Sequence, residues 1–288
     1  MASVSFELFP PRTTEGRTQL WSALARLEAL APSFVSVTCG AAGSGGADVT
    51  LDTLREVGGG TALRLAGHLT AAGRSRAEVD AAIRAYWAAG VRHIVALRGD
   101  MPDAGAPFAP HPAGYGGSLE LITAIGRIAP FEISVAAYPE PHPESRSLRG
   151  DLDLLARKAH AGASRAITQF CFRTAAIVRL RDAVARAGIR LPIVPGIMLA
   201  TNFEGTRRMA ARCGASIPDW LVARFDGTDD DPDTRRLLAA IVAAAQVEQL
   251  LREGFEEFHF YTLNRADVVG AVCRLLAAQP DEREELAA

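Results

Sequence analysis

Lysine is almost absent from this chain of 288 residues, in which Lys158 is the only lysine among 31 basic residues. The phosphate-binding loop of the nucleoside-triphosphate enzymes needs a lysine directly after a glycine, whereas Lys158 follows an arginine. The sequence therefore excludes that class of enzyme. Schiff-base chemistry on a lysine would have to use Lys158.

Cysteine pairs and long apolar runs are also missing. Cys39, Cys171, Cys213 and Cys273 are far apart, and their spacing indicates neither a disulfide framework nor a zinc site. No run approaches the roughly 18 consecutive apolar residues that a membrane helix needs, and the sequence does not open on a signal-peptide pattern. We therefore expect a cytoplasmic protein with reduced thiols, no metal and no membrane span.

An excess of charge of either sign is absent as well. The formal net charge at pH 7 is -2, which provides no basic surface for nucleic acid or anionic lipid. We expect small-molecule ligands instead of a nucleic acid or a membrane, and the sequence is compatible with a homo-oligomer.

The sequence does contain a repeated alternation of strand and helix patterns. Short apolar segments rich in β-branched residues alternate with segments whose apolar residues have helical spacing. Eight such strands with long crossovers favour a single-domain (β/α)8 TIM barrel over residues 1–288, with an open doubly wound sheet as the alternative. No Gly-x-Gly-x-x-Gly pattern indicates a Rossmann dinucleotide site. The predicted strands are the first apolar run up to Phe9 and then 34–39, 62–69, 92–97, 132–137, 165–170, 191–197 and 257–262, and the predicted helices are 16–31, 49–58, 75–90, 118–129, 151–162, 173–187, 203–213, 233–253 and 265–277.

Polar residues stand at the carboxyl ends of these predicted strands, where (β/α)8 barrels carry their chemistry. One such residue alone would be an ordinary helix cap or core residue, but a ring of them at one mouth is typical of a ligand pocket. The series comprises Glu7, Thr38, His68, Arg98, Asp100, Tyr138, His142, Thr168, Gln169, Tyr261, Asn264 and Arg265.

Glu7 is the most informative member of this series. It lies in a short apolar run that ends at Pro10 and Pro11 and is typical of a strand. A carboxylate between Phe6 and Leu8 lies either on the solvated face of an edge strand or in a pocket where loss of water favours its protonated form. The polar ends of the other strands favour the pocket, in which Glu7 would be a proton donor.

Two further segments allow alternative interpretations. Asp151 and Lys158 lie on one face of a predicted helix with Arg157 beside them, so this face either binds a phosphate or ribose or forms an exposed ion-pair patch. The acidic run 226–233 lacks the spacing of a calcium loop, and we expect it to cap the following helix instead of binding a metal.

Ten short motifs occur in order along the chain. They are Ser5-Phe6-Glu7-Leu8-Phe9-Pro10-Pro11, Ser36-Val37-Thr38, Gly67-His68-Leu69-Thr70, Ala96-Leu97-Arg98-Gly99-Asp100, Ala136-Ala137-Tyr138-Pro139-Glu140, His142-Pro143-Glu144, Ala161-Gly162-Ala163, Ile167-Thr168-Gln169-Phe170, Pro195-Gly196-Ile197 and His259-Phe260-Tyr261-Thr262-Leu263-Asn264-Arg265. Each motif alone would be weak evidence. Together and in this order they resemble the methylenetetrahydrofolate reductases over nearly the whole chain.

The resemblance implies a flavoprotein whose whole chain is an FAD-binding catalytic barrel. Such an enzyme reduces 5,10-methylenetetrahydrofolate to 5-methyltetrahydrofolate with NADH, or less favourably NADPH, in one-carbon metabolism and methionine biosynthesis. Hydride would pass from the nicotinamide to FAD and from the flavin to the folate, so the cofactor carries the hard chemistry. Glu7 stands at the family's position for the general acid that protonates N10 of the folate.

The same resemblance implies roles for the other site residues. Asp100 would act near both the flavin and the pterin, and Gln169 and Arg265 would bind folate together with Asp100. The flavin-binding positions fall on Thr38, His68, Arg98, Gly99, Asp100, Tyr138, His142, Asp151, Arg157 and Lys158, the last three near the ribose and phosphates.

Four residues depart from the pattern of the resemblance, namely Cys39, Met101, Leu154 and Met209. They leave the electron donor open and motivate an alternative, a folate- or flavin-binding subunit that receives its electrons from a partner protein. A different flavin barrel, such as a proline dehydrogenase, is a weaker alternative.

Overall fold

The computed structural model describes residues 2–39, 47–101, 108–142, 144–145 and 147–277. Within these ranges, strands and helices alternate along the chain as the periodicity predicts. The strands are β1 (Ser3–Leu8), β2 (Phe34–Val37), β3 (Leu65–Thr70), β4 (His93–Leu97), β5 (Glu132–Ala137), β6 (Arg165–Thr168), β7 (Ile193–Val194), β8 (Gly196–Met198) and β9 (Glu257–Tyr261). The helices are α1 (Thr14–Glu28), α2 (Ala47–Gly60), α3 (Arg76–Ala88), α4 (Ser118–Ile128), α5 (Leu148–His160), α6 (Thr174–Arg186), α7 (Phe203–Cys213), α8 (Asp219–Phe225), α9 (Pro232–Arg252) and α10 (Asp267–Ala277).

All strands pair in parallel in the order β7-β6-β5-β4-β3-β2-β1-β9-β8. The two terminal segments, β7 and β8, are separated only by Pro195, which has no N–H to donate to a sheet. The Pro195 carbonyl accepts a hydrogen bond from the His259 backbone N–H at 2.9 Å. Pro195 therefore remains paired with β9 as part of the barrel sheet. The two segments therefore share one strand position, and the predicted (β/α)8 barrel is confirmed over the alternative open sheet.

Many element ends differ from the sequence-based prediction by one to three residues, and three differences are the clearest. β3 begins at Leu65 instead of residue 62 and runs to Thr70, so His68 lies inside the strand and not at its end. The predicted strand 191–197 is two short segments because of Pro195. The short helix α8 was not predicted, because its seven residues are too few to show a helical period.

Side chains alternate in direction along β1 and β9, so each of these strands has one apolar face and one polar face. Phe6 and Phe260 are fully buried and pack against each other, with ring centres 6.1 Å apart. The register pairs Ser5 with His259 and Glu7 with Tyr261. Since side chains alternate along a strand, these two pairs lie on the face opposite Phe6 and Phe260, inside the barrel.

An apolar layer fills the barrel interior nearer the amino ends of the strands. Phe34, at the start of β2, lies between the imidazoles of His93 and His259, at ring-centre distances of 4.4 and 5.7 Å. The other members of this layer are Ala66, Val95, Ile167 and Val194. The interior is therefore packed, and the polar side chains lie closer to the carboxyl mouth.

Two glycines permit close approaches near that mouth. A Cβ at Gly196 would lie 2.2 Å from the Thr168 carbonyl oxygen and 2.6 Å from the Tyr261 ring. Gly99, directly after β4, has a φ of 85° and would place a Cβ 2.9 Å from Ala72. Any side chain at either position would displace the neighbouring strand end.

The acidic run before α9 acts as a helix cap, as the sequence predicts. The Asp231 carboxylate accepts from the Thr234 backbone N–H at 3.0 Å, and Pro232 occupies the first turn.

None of the helices in the described ranges combines the length and apolar character that crossing a bilayer would require.

Candidate functional site

Glu7 lies at the centre of the polar cluster at the carboxyl mouth. Its Oε2 is 3.4 Å from Nε2 of His68 and 3.9 Å from Nε2 of His259. The Glu7 side chain is 17 % exposed and that of His68 is 8 % exposed. The two imidazoles come from β3 and β9, and β1 pairs with β2 on one side and β9 on the other, so Glu7 does not lie on an edge strand.

The two ring nitrogens of His259 have different surroundings. Nδ1 is 2.8 Å from the Ser5 hydroxyl, which also lies 3.3 Å from the Phe258 carbonyl. The hydroxyl has one proton, which it can donate either to Phe258 or to Nδ1, so both tautomers of His259 are compatible with this contact. Nε2 is buried without a hydrogen-bond partner among the described residues and is the nitrogen nearest Glu7.

His68 faces Glu7 from β3. Its Nε2 is also 3.3 Å from the Ser36 hydroxyl on β2. Burial lowers the pKa of His68, and the negative charge of Glu7 only partly opposes this effect. His68 is therefore neutral near pH 7 and contacts Glu7 directly, while its predicted contact with a flavin stays a prediction.

The loop after β5 brings several predicted residues together. The rings of Tyr138 and His142 pack edge to face with centres 4.8 Å apart. Burial raises the pKa of Tyr138 to about 12, and the nearby Asp100 carboxylate adds to this effect. Arg98 pairs with Glu144 in the same loop, with Nη2 and Oε1 3.1 Å apart.

The face of α5 predicted to contact a ligand carries a buried cation. Nζ of Lys158 donates to the Ala136 carbonyl at 3.0 Å, and burial lowers the pKa of Lys158 to about 8 against the opposing charge of Asp151. Asp151 is half-buried and accepts from the Ser145 hydroxyl at 2.7 Å. Arg157 is exposed.

Other predicted residues stand around the same mouth. Oε1 of Gln169 accepts from the Phe170 backbone N–H at 2.9 Å, and its amide NH2 has no partner within the described ranges. Thr38 follows β2 and donates its N–H to the Leu8 carbonyl at 2.9 Å. Arg265 is exposed just after β9.

The sequence did not predict the contacts by which Ser5, His259 and Asn264 hold the site in place. His259 and Ser5 were not selected as site residues, although the alternation of polar and aromatic residues in His259-Phe260-Tyr261 indicates an inward-facing His259. Asn264 was selected only as a polar strand end. Its side chain binds both the N–H and the carbonyl of Phe9 at 2.9 Å, which secures the chain just after Glu7. These pairings join residues about 250 positions apart, so local patterns give no signal for them.

The arrangement combines three chemical capacities at one mouth. Glu7 presents a carboxyl group at the mouth, in contact with the neutral imidazole of His68 and close to that of His259. Lys158 and Arg98 offer positive charge to an anionic ligand. The amide of Gln169 provides a free donor for a heteroaromatic ligand.

Comparisons with known proteins identify the family of the chain. The family model described as methylenetetrahydrofolate reductase matches residues 1–277. The chain is 46 % identical over 278 residues to the 5,10-methylenetetrahydrofolate reductase of Escherichia coli (strain K12), covering 96 % of this chain and 92 % of the relative. It is 44 % identical over 279 residues to the enzyme of the same name from Pectobacterium carotovorum subsp. carotovorum, covering 97 % and 91 %.

A solved structure supports the fold alone. An uncharacterized Clostridium thermocellum protein that binds two copies of 5-methyl-5,6,7,8-tetrahydrofolic acid superposes with a TM-score of 0.61 and 12 % identity, covering 94 % of this chain and 92 % of that one. The family model and the relatives, in contrast, match the chain along nearly its full length. The chain therefore belongs to the methylenetetrahydrofolate reductase family.

Proposed function

We propose that this protein reduces 5,10-methylenetetrahydrofolate to 5-methyltetrahydrofolate with NADH or NADPH, with FAD as its cofactor and Glu7 as general acid. The observation that supports this proposal best is the Glu7 carboxyl group in the barrel mouth, 3.4 Å from the neutral imidazole of His68. Family membership supports the substrate class, since the relatives at 44 % and 46 % identity carry the name of this reaction.

Glu7 has a defined task in this reaction. The five-membered ring of the folate must open before its one-carbon unit can accept a hydride, and opening requires a proton on N10. Glu7 delivers that proton from the end of β1. Nε2 of His68 and Nε2 of His259 both approach Oε2 of Glu7, and these contacts restrict the orientations that the carboxyl group can adopt.

The residues of the mouth fit a flavin nucleotide. Lys158 is a buried cation whose pKa is lowered to about 8, so an adjacent phosphate would stabilise its charged form. Asp151 lies on the same face of α5 as Lys158, and its carboxylate can accept a hydrogen bond from a ribose hydroxyl. The backbone at Gly99 carries no side chain, which lets a planar ligand approach the end of β4.

When bound there, FAD would supply the two-electron carrier between the nicotinamide and the folate. Thr38, Arg98, Tyr138 and His142 line the same mouth and orient the flavin, and Arg157 at the exposed end of the α5 face meets its phosphates. His68 contributes through its contact with Glu7.

Three residues would bind the substrates. Asp100 is exposed at the mouth beside Tyr138 and would hold the pterin, and its negative charge would oppose additional negative charge on a flavin bound nearby. The free amide NH2 of Gln169 donates to the folate, and to the nicotinamide in the other half-reaction. Arg265 is exposed and attracts the carboxylates of the folate.

One absorbance experiment tests the proposal. The purified protein, reconstituted with FAD, is mixed with NADH or NADPH without oxygen, and then with 5,10-methylenetetrahydrofolate. We expect the flavin band to bleach with the nucleotide and to return when the folate is added. Failure to bind FAD, or no folate turnover, would overturn the proposal.

The same experiment separates the alternatives. A subunit that depends on a partner for electrons would bind FAD but show no bleaching with either nucleotide. A flavin barrel of the proline dehydrogenase type would be bleached by an amino acid in place of NADH. Cys39 and the exposed Met209 on α7 motivate the first alternative, and the rate of bleaching by the isolated chain decides it.

A further inference from the structure

A crevice of 440 Å³ lies on the outside of the barrel, between α6, α8 and α9. Three arginines line it: Arg173 at the start of α6, Arg179 one turn further, and Arg224 on α8. The ring of Trp220 forms part of its rim. None of the described residues that line the crevice carries a carboxylate.

Two of the three arginines, Arg179 and Arg224, have no acidic partner within the described ranges, whereas Arg173 pairs with Glu140. Arg179 has no ion pair or hydrogen bond within the described ranges, and the guanidinium carbon of Arg224 lies 6.0 Å from the centre of the Trp220 ring. Arginines elsewhere on the same group of helices do find acids, as Arg181 does with Asp182 and Arg236 with Asp233. Three cations around one small space repel one another, and a bound anion would remove that repulsion.

The start of α6 adds to the positive potential. Thr174 and Ala175, in the first turn of this 13-residue helix, line the crevice, and the N-cap residue Arg173 makes no side-chain cap. The first-turn N–H groups of a helix carry partial positive charge. They lie on the same side of the crevice as Arg173.

We propose that this crevice is a binding site for a small polyanion, a molecule that carries several phosphate or carboxylate groups. Arg173, Arg179 and Arg224 bind the anionic groups, because a guanidinium pairs with phosphate and carboxylate alike through two parallel hydrogen bonds. Trp220 packs against the ligand at the rim, so its fluorescence changes when the ligand binds. The site lies outside the barrel and is separate from the mouth that contains Glu7.

Arg173 links the crevice to the mouth. Its Nε donates to the Ser216 hydroxyl at 2.9 Å and lies 3.6 Å from Oε1 of Glu140, in the same loop as Tyr138 and His142. Its two Nη nitrogens have no partner among the described residues and can bind a ligand while this link is kept. The crevice and the loop after β5 therefore share Arg173 as a common contact.

Titration of the full chain with two probes tests the proposal. Sodium tripolyphosphate and citrate are added separately at constant ionic strength, and tryptophan fluorescence and heat are recorded. We expect saturable binding of at least one probe. The double variant Arg179→Gln/Arg224→Gln should bind it at least about tenfold more weakly, since two charged hydrogen-bond donors are lost.

Arg186→Gln is the control, because it removes one arginine charge from the last turn of α6, outside the crevice, and it is compared with each single variant, Arg179→Gln and Arg224→Gln, as well as with the double variant. It should bind like the wild type, and Trp220→Phe should keep the heat signal while losing the fluorescence change. Binding of tripolyphosphate alone identifies a phosphate site, and binding of citrate alone identifies a carboxylate site. The proposal is wrong if neither probe saturates in the millimolar range, or if the double variant and Arg186→Gln weaken binding equally.

Discussion

At the scale of single residues, Glu7 differs from an ordinary carboxylate through its neighbours. Two imidazoles on other strands approach its Oε2, and neither is a permanent cation. An arginine in the same place would hold Glu7 ionised and unable to donate. Glu7 therefore has a neutral imidazole, that of His68, as its nearest titratable neighbour.

Glu7→Gln should separate the two half-reactions. Glutamine has nearly the same shape, so reduction of bound FAD by NADH should stay near the wild-type rate. Folate reduction should fall by about 10²–10⁴-fold, which is typical for removal of a general acid. Anaerobic stopped-flow absorbance measures each half-reaction separately.

Glu256→Gln is the control for this experiment, because Glu256 is exposed just before β9, at the opposite end of the barrel from the mouth. It should leave both half-reactions unchanged. If Glu7→Gln instead slows both half-reactions equally, Glu7 acts in folding or in flavin binding and not as the general acid.

At the scale of elements, Glu140 joins three loops at the barrel mouth. It follows Tyr138 in the loop after β5, and its Oε2 accepts from the Ser216 backbone N–H at 2.8 Å, beyond α7. The Ser216 hydroxyl also donates to it, and Arg173, after β6, lies 3.6 Å away. One carboxylate thus holds segments that follow three different strand positions.

Glu140→Gln should lower the free energy of unfolding by about 1–3 kcal/mol, because one carboxylate acceptor becomes an amide donor that faces donors. Urea denaturation measures the loss. Glu204→Gln is the control, since Glu204 pairs with Arg207 on the exposed surface of α7 and its removal should cost less than about 1 kcal/mol. Equal losses in the two variants would show that Glu140 does not secure the loops.

At the scale of the whole molecule, local patterns predicted the barrel because strand and helix periods repeat along the chain. The same patterns located Glu7, since a carboxylate inside an apolar strand stands out. They missed the contact of Ser5 with His259, which depends on the register between β1 and β9 at opposite ends of the chain. They also missed the burial of Lys158, because that depends on how α5 packs against the Ala136 carbonyl.

The barrel interior also makes the stability of the whole protein depend on pH. His93 is buried, with Nε2 2.7 Å from the Ser134 hydroxyl, and burial lowers its pKa to about 3, with Arg165 and His259 adding to the effect. In the unfolded chain its pKa would be about 6.5. Between these two values the unfolded state binds a proton that the folded state does not, so stability falls as the pH falls.

His93→Gln should remove that dependence while keeping a hydrogen-bonding side chain near Ser134. Between pH 6 and pH 4, the wild-type free energy of unfolding should fall more steeply than that of the variant, by about 1.4 kcal/mol per pH unit. Urea denaturation at a series of pH values measures both slopes, and the difference in slope is independent of any constant destabilisation of the variant. His160→Gln, an exposed change in the last turn of α5, should keep the wild-type slope. Parallel slopes for wild type and His93→Gln would show that His93 takes up its proton without unfolding, and that the apolar layer around Phe34 tolerates a charge.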